Sequence, residues 1–228
     1  MSFLFLNKPA GWTSHDVVNV VRRVTGERRV GHAGTLDPFA TGLLIVAVGR
    51  ESTRMIDTFK AHEKEYEVVA QFGATSDTQD RMGVITPTPG TPVTVTREML
   101  QATLPEFTGH ILQIPPMYSA KKINGHKLYE LARAGKTVER QPSAITIYHI
   151  EILDCKENQA TLRVVCSVGT YIRTLVHDIG QRIGCGAYAA ELTRTRIGVH
   201  TLAQAQDVEV FRATVTPKNE SSAPHPKM

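Results

Sequence analysis

The chain has 228 residues, of which 41% are hydrophobic and 21% charged, a composition typical of a globular protein with a full-sized core. Lys and Arg number 26 and Asp and Glu number 22, so the net charge is +4. No apolar run approaches the roughly 18–20 residues that a membrane helix needs, and no secretory signal is recognisable, so we expect no membrane association. Three cysteines without a CxxC pair argue against disulfides and zinc and suit the reducing cytoplasm.

The first sixty residues predict two strands and two helices. Thr13 and Asp16 have the spacing of a capping box, and valines at helical spacing follow them as far as Gly26. In chain order we predict a strand at Phe3–Leu6, a helix from Thr13 to Gly26, a loop over 27–42, a strand at Leu43–Val48 and a helix near Thr53–Ala61.

The rest of the chain mixes strands and helices. Tyr66, Val68, Ala70 and Phe72 alternate on one face of a strand. We predict strands at Lys64–Phe72, before Pro115, near Ala144–Leu153 and near Thr161–Val168, and helices after residue 96, over Leu128–Ala132 and over Ile172–Ile183. This order lacks strict βαβ alternation, so we predict an α+β, or mixed α/β, fold with a largely antiparallel sheet. Thr214–Met228 is polar and predicts a disordered tail.

Basic residues are concentrated in two places. Residues 121–140 contain six basic and two acidic side chains, and Arg22, Arg23, Arg28 and Arg29 form a second cluster. Such clusters attract phosphate backbones through charge and counterion release. The alternative for either cluster is a solvated basic surface.

The segment Gly31–Gly42 has three glycines, a proline and two side chains suited to chemistry, His32 and Asp37. Because it precedes a buried strand, it can hold the carboxylate rigid and partly desolvated, as a nucleophile or base requires; the alternative is a turn-forming Asp before Pro. Arg173 lies near a helix N-terminus, where the macrodipole opposes its charge, and we therefore expect it to have an anionic partner such as Asp37.

Several common signatures are missing from the sequence. It has no phosphate-binding loop, no strand-linked G-x-G-x-x-G, no H-E-x-x-H and no G-x-S-x-G. We therefore predict no nucleotide cofactor, and no other cofactor or metal.

Over about residues 3–200 the chain resembles the TruB-type tRNA pseudouridine synthases, which isomerise uridine 55 in the T loop of tRNA. The segments that carry the resemblance are Lys8–Asp16, Gly31–Gly42, Lys64–Tyr66, Thr75–Asp80, Pro115–Lys122, Gly169–Arg173 and Gly184–Ala187. The resemblance implies the pseudouridine synthase fold and an isomerase that needs no energy donor. It also favours the catalytic interpretation of Asp37 over the turn interpretation.

The resemblance implies a role for individual residues. Asp37 would be the catalytic carboxylate, attacking C1′ or C6 or removing the C2′ proton, and Arg173 would be its ion-pair partner. Tyr66 would stack on the target base and, as a second catalytic group, assist the loss of the C5 proton. The remaining assignments are Tyr171 and Leu192 lining the uracil pocket, His32 against the RNA where the base leaves its stack, Asp80 contacting RNA, and Lys8 and Pro9 supporting the loop.

The resemblance also implies an organisation and a partner. Residues 1–212 would be the catalytic domain, with an inserted RNA-binding thumb over about 118–142 that includes Lys121, Lys122 and Lys127; 213–228 would be the tail, with no C-terminal PUA domain. The partner would be the T stem-loop of tRNA, bound by a cytoplasmic monomer. Two alternatives are an RNA-binding tRNA-folding chaperone and a pseudouridine synthase that acts on another RNA.

Overall fold

The computed structural model describes residues 2–89, 94–119, 121–123 and 125–214. The strands are β1 Ser2–Lys8, β2 Val30–His32, β3 Thr41–Val48, β4 Lys64–Phe72, β5 Ala74–Ser76, β6 Ile85–Pro87, β7 Gly109–Gln113, β8 Lys122–Ile123, β9 His126–Lys127, β10 Ser143–Lys156, β11 Gln159–Cys166, β12 Ala187–Ile197, β13 His200–Thr201 and β14 Gln206–Asp207. The helices are α1 Ser14–Thr25, α2 Arg50–Arg54, α3 Ile56–Ala61, α4 Arg97–Thr103, α5 Leu128–Arg133, α6 Ile172–Ile183 and α7 Val208–Thr214, with short 3₁₀ turns at Leu104–Phe107 and Leu202–Gln204.

The chain divides into two units, and the first consists of Met1–Lys60 and Thr201–Met228. Its strands lie in the order β14-β1-β3, and β2 also pairs with β3. Helix α1 begins at the predicted capping box and ends at Gly26, whose φ of 70° suits a residue without a side chain. The valines of α1 pack against Leu6 of β1 and against Val208 and Phe211 of α7, which forms the core of this unit.

The second unit, Ala61–His200, contains an antiparallel sheet in the order β12-β4-β11-β10-β7. Strand β4 alternates strictly between buried and half-buried residues, as predicted. Helix α6 contacts β12 and β4. A Cβ atom on Gly180 would overlap Ala187, so a glycine at this position allows the helix to approach the sheet closely. On the solvent side, Arg163 bridges Glu67 and Glu151 across three strands.

The predicted fold class, mixed α/β with largely antiparallel strands, is confirmed. Several elements differ from prediction, among them short strands and turns that no local pattern marked. Strand β2 lies within the predicted loop 27–42, and the helix predicted near Thr53–Ala61 is two short helices separated at Met55. Strand β12 was not predicted, because bulges at Ala189/Glu191 and Arg194/Arg196 interrupt its two-residue alternation.

The C-terminal boundary also differs from prediction. Helix α7 continues to Thr214, so residues 213 and 214 are helical although they were predicted to belong to the tail. The remainder of the predicted tail, 215–228, lies outside the described residues. The helix forms here because Val208 and Phe211, three residues apart on one face, are buried in the core of the first unit.

Candidate active site

The loop that carries Asp37 connects β2 to β3 in the first unit. His32 ends β2 opposite Val46, and the Ala33 N–H donates to the Ile45 carbonyl, which extends the pairing one residue into the loop. Gly34 and Gly42 have φ values of 86° and 107°, which side chains rarely allow. Gly34 and Gly42 therefore allow backbone conformations in this segment that residues with side chains rarely adopt.

Four hydrogen bonds hold the loop backbone at Asp37 and on both sides of it. The buried Ser14 hydroxyl accepts the Leu36 N–H at 2.8 Å and donates to the Leu36 carbonyl at 3.2 Å. The Gly11 N–H donates to the Pro38 carbonyl at 2.8 Å. The Asp37 carbonyl accepts the Ala40 N–H, which closes a turn. The neighbours of Asp37 on either side are thus held by residues at the start of α1 and just before it.

Lys8 is a fully buried cation in the same unit. Its Nζ donates to the carbonyl oxygens of Pro9 at 2.8 Å, Trp12 at 2.7 Å and Pro38 at 3.4 Å. A buried ammonium group is tolerated when its donors are satisfied. These contacts join the segment before α1 to the Asp37 loop and support the prediction that Lys8 maintains the loop structure.

In the second unit, Tyr66 and Leu192 lie on neighbouring strands with 8% and 6% of their surface exposed. Tyr66 of β4 is opposite Arg194 of β12, and Leu192 is opposite Val68, so the two side chains are diagonal neighbours on the sheet. Diagonal neighbours are within reach of an aromatic ring. The structure therefore brings together two of the residues predicted to bind the base.

Tyr171 is the N-cap of α6, and Gln113 of β7 holds its backbone. The Gln113 amide accepts the Tyr171 N–H at 2.8 Å and donates to the Tyr171 carbonyl at 3.0 Å. Gln113 is buried, with 2% of its surface exposed. Gln113 was not predicted, because its contact with Tyr171 spans 58 positions and no local pattern marks it.

Arg173 is also buried, and Asp80 is an anionic partner of the kind expected for it. Its Nη1 lies 3.4 Å from Asp80 Oδ2 and donates to the Thr78 carbonyl at 2.6 Å, and its Nη2 donates to the Tyr118 carbonyl at 2.9 Å. Asp80 is itself held by the Thr78 hydroxyl and the Met82 N–H. Asp80, predicted to contact RNA, is 5% exposed and oriented toward Arg173, which favours a positioning role.

Two further buried cations share the sheet with Tyr66, and neither was predicted. Lys64 lies two residues before Tyr66 on the same face of β4, and Arg194 lies opposite Tyr66. Burial, reinforced by the charge of Arg194, lowers the pKa of Lys64 to about 8. Burial also raises the pKa of the neighbouring Cys166 thiol to about 12, so this thiol is neutral at physiological pH.

The predicted thumb contains the β8–β9 hairpin and α5. Leu128 is fully buried and fixes the segment, while Lys127 and Arg133 lie within 5.3 and 5.6 Å of the Tyr129 ring centre. Lys121 is exposed and donates to the Ser143 hydroxyl. Lys122 lies in β8, but its side chain is outside the described ones.

Comparison with known proteins places the chain in a family. The model described as the TruB family pseudouridylate synthase N-terminal domain matches residues 22–172, and that of the tRNA pseudouridylate synthase B C-terminal domain matches residues 173–223. The chain belongs to the TruB family. The resemblance inferred from its motifs is thereby confirmed.

Individual TruB relatives match most of the chain. A tRNA pseudouridine synthase B of Pseudomonas syringae pv. syringae (strain B728a) is 49% identical over 206 residues, which are 90% of this chain and 67% of the relative. One of Solibacter usitatus (strain Ellin6076) is 44% identical over 206 residues, which are 90% of this chain and 70% of the relative.

Solved structures agree with this placement. The match in a Cbf5-Nop10-Gar1 complex has a TM-score of 0.72 and 29% identity, and covers 92% of this chain and 53% of the other. A second, in an H/ACA RNP bound to a substrate RNA containing 2′-deoxyuridine, has a TM-score of 0.69 and 26% identity, and covers 92% of this chain and 52% of the other. This chain thus spans about half the length of both. Over the ranges that the structure describes, no helix is long and apolar enough to cross a membrane.

The predicted TruB site residues are distributed over both units. Asp37 and His32 belong to the first unit. The second contains Tyr66, Asp80, Tyr171, Arg173, Leu192 and the thumb lysines. The catalytic and binding roles of these residues, and the ion pair between Asp37 and Arg173, stay predictions.

Proposed function

We propose that this chain converts uridine to pseudouridine in tRNA, at position 55 of the T loop, with the Asp37 carboxylate as the catalytic group. The observation that carries the proposal is the 49% identity over 90% of the chain to a relative named tRNA pseudouridine synthase B. The geometry supports it, because the backbone on both sides of Asp37 is held by Ser14, Gly11 and Lys8. Catalysis requires such a fixed carboxylate.

The reaction is an isomerisation: uridine and pseudouridine contain the same atoms, so no group donor or energy donor is needed. The bond between N1 and C1′ breaks, the uracil turns, C5 bonds to C1′, and the proton lost from C5 is balanced by one gained at N1. Three roles of Asp37 lead to this product: attack on C1′, attack on C6, or removal of the C2′ proton. A primary isotope effect with uridine deuterated at C2′ would identify the third.

The other residues prepare the nucleoside for Asp37. The uridine must leave its stack, which costs a few kcal/mol. Stacking on Tyr66 and occupation of the gap by His32 offset this cost, while Tyr171 and Leu192 enclose the uracil. Arg173 favours the ionised form of Asp37. Its three contacts with Asp80, Thr78 and Tyr118 support this assignment, because they fix the guanidinium group.

The protein recognises the RNA mainly by its folded shape. The T stem-loop is bound by a monomer in the cytoplasm, and the thumb residues Lys121, Lys122 and Lys127 contact phosphates. The described part of the thumb supports this, because Lys127 and Arg133 flank an aromatic ring beside an exposed Lys121. Clusters of cations with aromatic rings are typical of nucleic-acid surfaces.

The test is pseudouridine mapping on an unmodified tRNA transcript incubated with the protein and buffer. We expect one modified position, 55, and no product with Asp37→Asn, whose tRNA affinity should stay within a few-fold of the parent. A transcript with cytidine at position 55 is the control. Modification elsewhere would assign another RNA site, and unchanged turnover by Asp37→Asn would exclude the Asp37 mechanism. Tight tRNA binding without product would indicate the tRNA-folding chaperone instead.

A further inference from the structure

A basic cleft in the first unit borders the Asp37 loop. It has a volume of about 680 Å³, and its walls come from α1, β2, α2, α3 and the segment between α1 and β2. Part of its lining is the backbone of the loop itself, at Gly31, His32, Gly34 and Thr35. Thr35 precedes Asp37 by two residues, so a ligand in this cleft lies beside the loop that carries the proposed catalytic carboxylate.

The cleft is lined by four cations, Arg22, Arg28, Arg29 and Lys60, and by no acidic side chain of a described residue. Asp57 neutralises Lys60 at 2.8 Å. Glu27, in the segment between α1 and β2, accepts the backbone N–H of Arg29 through its side chain. Within the described ranges no carboxylate forms an ion pair with Arg22, Arg28 or Arg29, so their charge attracts an external anion.

Arg22 is the member of this set whose position is fixed. Its Nη1 donates to the Asn19 side-chain oxygen at 3.2 Å and its Nη2 to the Val30 carbonyl at 3.4 Å, and both distances are long for hydrogen bonds. Its Nε is buried and has no hydrogen-bond partner among the residues that the structure describes. A buried donor without an acceptor is costly, and a guanidinium group offers paired donors that match the oxygens of a phosphate. The cleft is thus lined by a guanidinium group that is held in place and whose hydrogen bonds are incompletely satisfied.

We propose that this cleft binds the phosphodiester backbone of the RNA beside the target nucleotide. The inference rests on the proposed function for the identity of the RNA. An RNA strand fits better than a free anion because the cleft is much larger than one phosphate and the exposed Arg28 and Arg29 extend the charge along it. Gly31 leaves backbone open on the wall, since the nearest atom to an added Cβ would be Thr53 Cγ2 at 3.8 Å.

The chain offers a matched control in the last turn of α1. Arg22 and Arg23 are adjacent and carry the same charge, but Arg23 is exposed and does not line the cleft. We expect Arg22→Gln to weaken tRNA binding about five-fold or more and to reduce the slope of log K against log salt by about one. Arg23→Gln should stay within about two-fold of the parent. If both variants weakened tRNA binding equally, the tRNA would be attracted by the overall charge of the protein, and the proposal that the cleft binds RNA would be refuted.

A second measurement maps the bound phosphates, first with the parent protein and then with Arg22→Gln. Ethylation interference on the T arm should identify one or two phosphates whose modification prevents binding. With Arg22→Gln, once circular dichroism shows that it is folded, the same phosphates should become insensitive. Phosphates that are equally sensitive with both proteins would refute the assignment.

The two proposals fail in distinguishable ways. Pseudouridine formation by Arg23→Gln should equal that of the parent, since Arg23 lies outside the cleft and Asp37 is unchanged. A parent protein that binds tRNA through Arg22 but makes no product would refute the proposed function and leave the cleft standing. Inorganic phosphate tests whether the cleft binds a free anion instead of RNA. Phosphate could raise the melting temperature of the parent but not of Arg22→Gln, while both proteins bind tRNA equally. That result would show that the cleft binds free phosphate and not RNA.

Discussion

The hydroxyl of Ser14 provides a direct test of how the Asp37 loop is held. Ser14→Ala removes the acceptor of the Leu36 N–H and the donor to the Leu36 carbonyl, both inside the protein. A buried polar group left without a partner costs about 1–3 kcal/mol. Two such groups predict that the free energy of unfolding falls by about 2–6 kcal/mol.

The catalytic effect should exceed what this loss of stability implies. Leu36 is adjacent to Asp37, so release of its backbone displaces the carboxylate, and a misplacement of about 1 Å can cost on the order of 100-fold in rate. We therefore expect kcat for pseudouridine formation to fall about 10- to 100-fold. Urea unfolding measures the first effect and single-turnover kinetics under folded conditions measure the second.

Ser52 is the matched control for this experiment. It is a buried serine of the same unit whose hydroxyl accepts the Ser2 N–H at 2.8 Å, but it holds no part of the Asp37 loop. Ser52→Ala should cost about 1–2 kcal/mol of stability and leave kcat unchanged. If Ser14→Ala lost stability but kept the parental kcat, the loop would not depend on this hydroxyl, and the reasoning from anchored backbone to catalysis would be wrong.

Three further predictions concern the second unit. Burial raises the pKa of Asp178 to about 6, so the native chain binds an extra proton between pH 4 and 6 and loses stability as pH rises through that window. Asp178→Asn should therefore stabilise the protein by on the order of 1 kcal/mol at pH 7.5 and by nothing near pH 4, as measured by urea unfolding. Lys64 has the opposite dependence: with its pKa lowered from 10.5 to about 8, its contribution to stability rises with pH across that interval, and the difference between parent and Lys64→Met should show that rise. Gln113→Met should lower kcat/KM for tRNA about ten-fold, because two hydrogen bonds that fix the Tyr171 backbone are lost, and an unchanged value would separate Tyr171 from substrate binding.

Local signals explain which parts of the fold could be predicted. The α1 capping box, the alternation of β4 and the apolar stripe of α6 each depend on residues close in sequence, and each appears as predicted. Strand β12 was missed because its bulges break the pattern on which strand prediction depends. Strand β2 is three residues long and contains a glycine, too little for any periodicity.

The site shows the same division. The glycine-rich spacing and the resemblance singled out Asp37 and Arg173, but the contacts that hold them join distant positions: Ser14 with Leu36, and Arg173 with Thr78. Lys64 lies on the predicted buried face of β4, but a lysine at the end of a strand is ordinarily expected to be solvated. Pairing between distant segments decides these details, and a single sequence contains no record of it.

The way the first unit is assembled has a consequence for synthesis on the ribosome. Strand β1 is paired by β14, and its Leu6 shares a core with Val208 and Phe211, so the earliest and latest segments depend on each other. At about 5–20 residues per second, the valine stripe of α1 waits roughly 9–37 s for those partners to be translated. Residues 61–200 emerge in the interval. Nascent chains halted before residue 208 should accordingly expose the α1 stripe to chaperones, and completed chains should not.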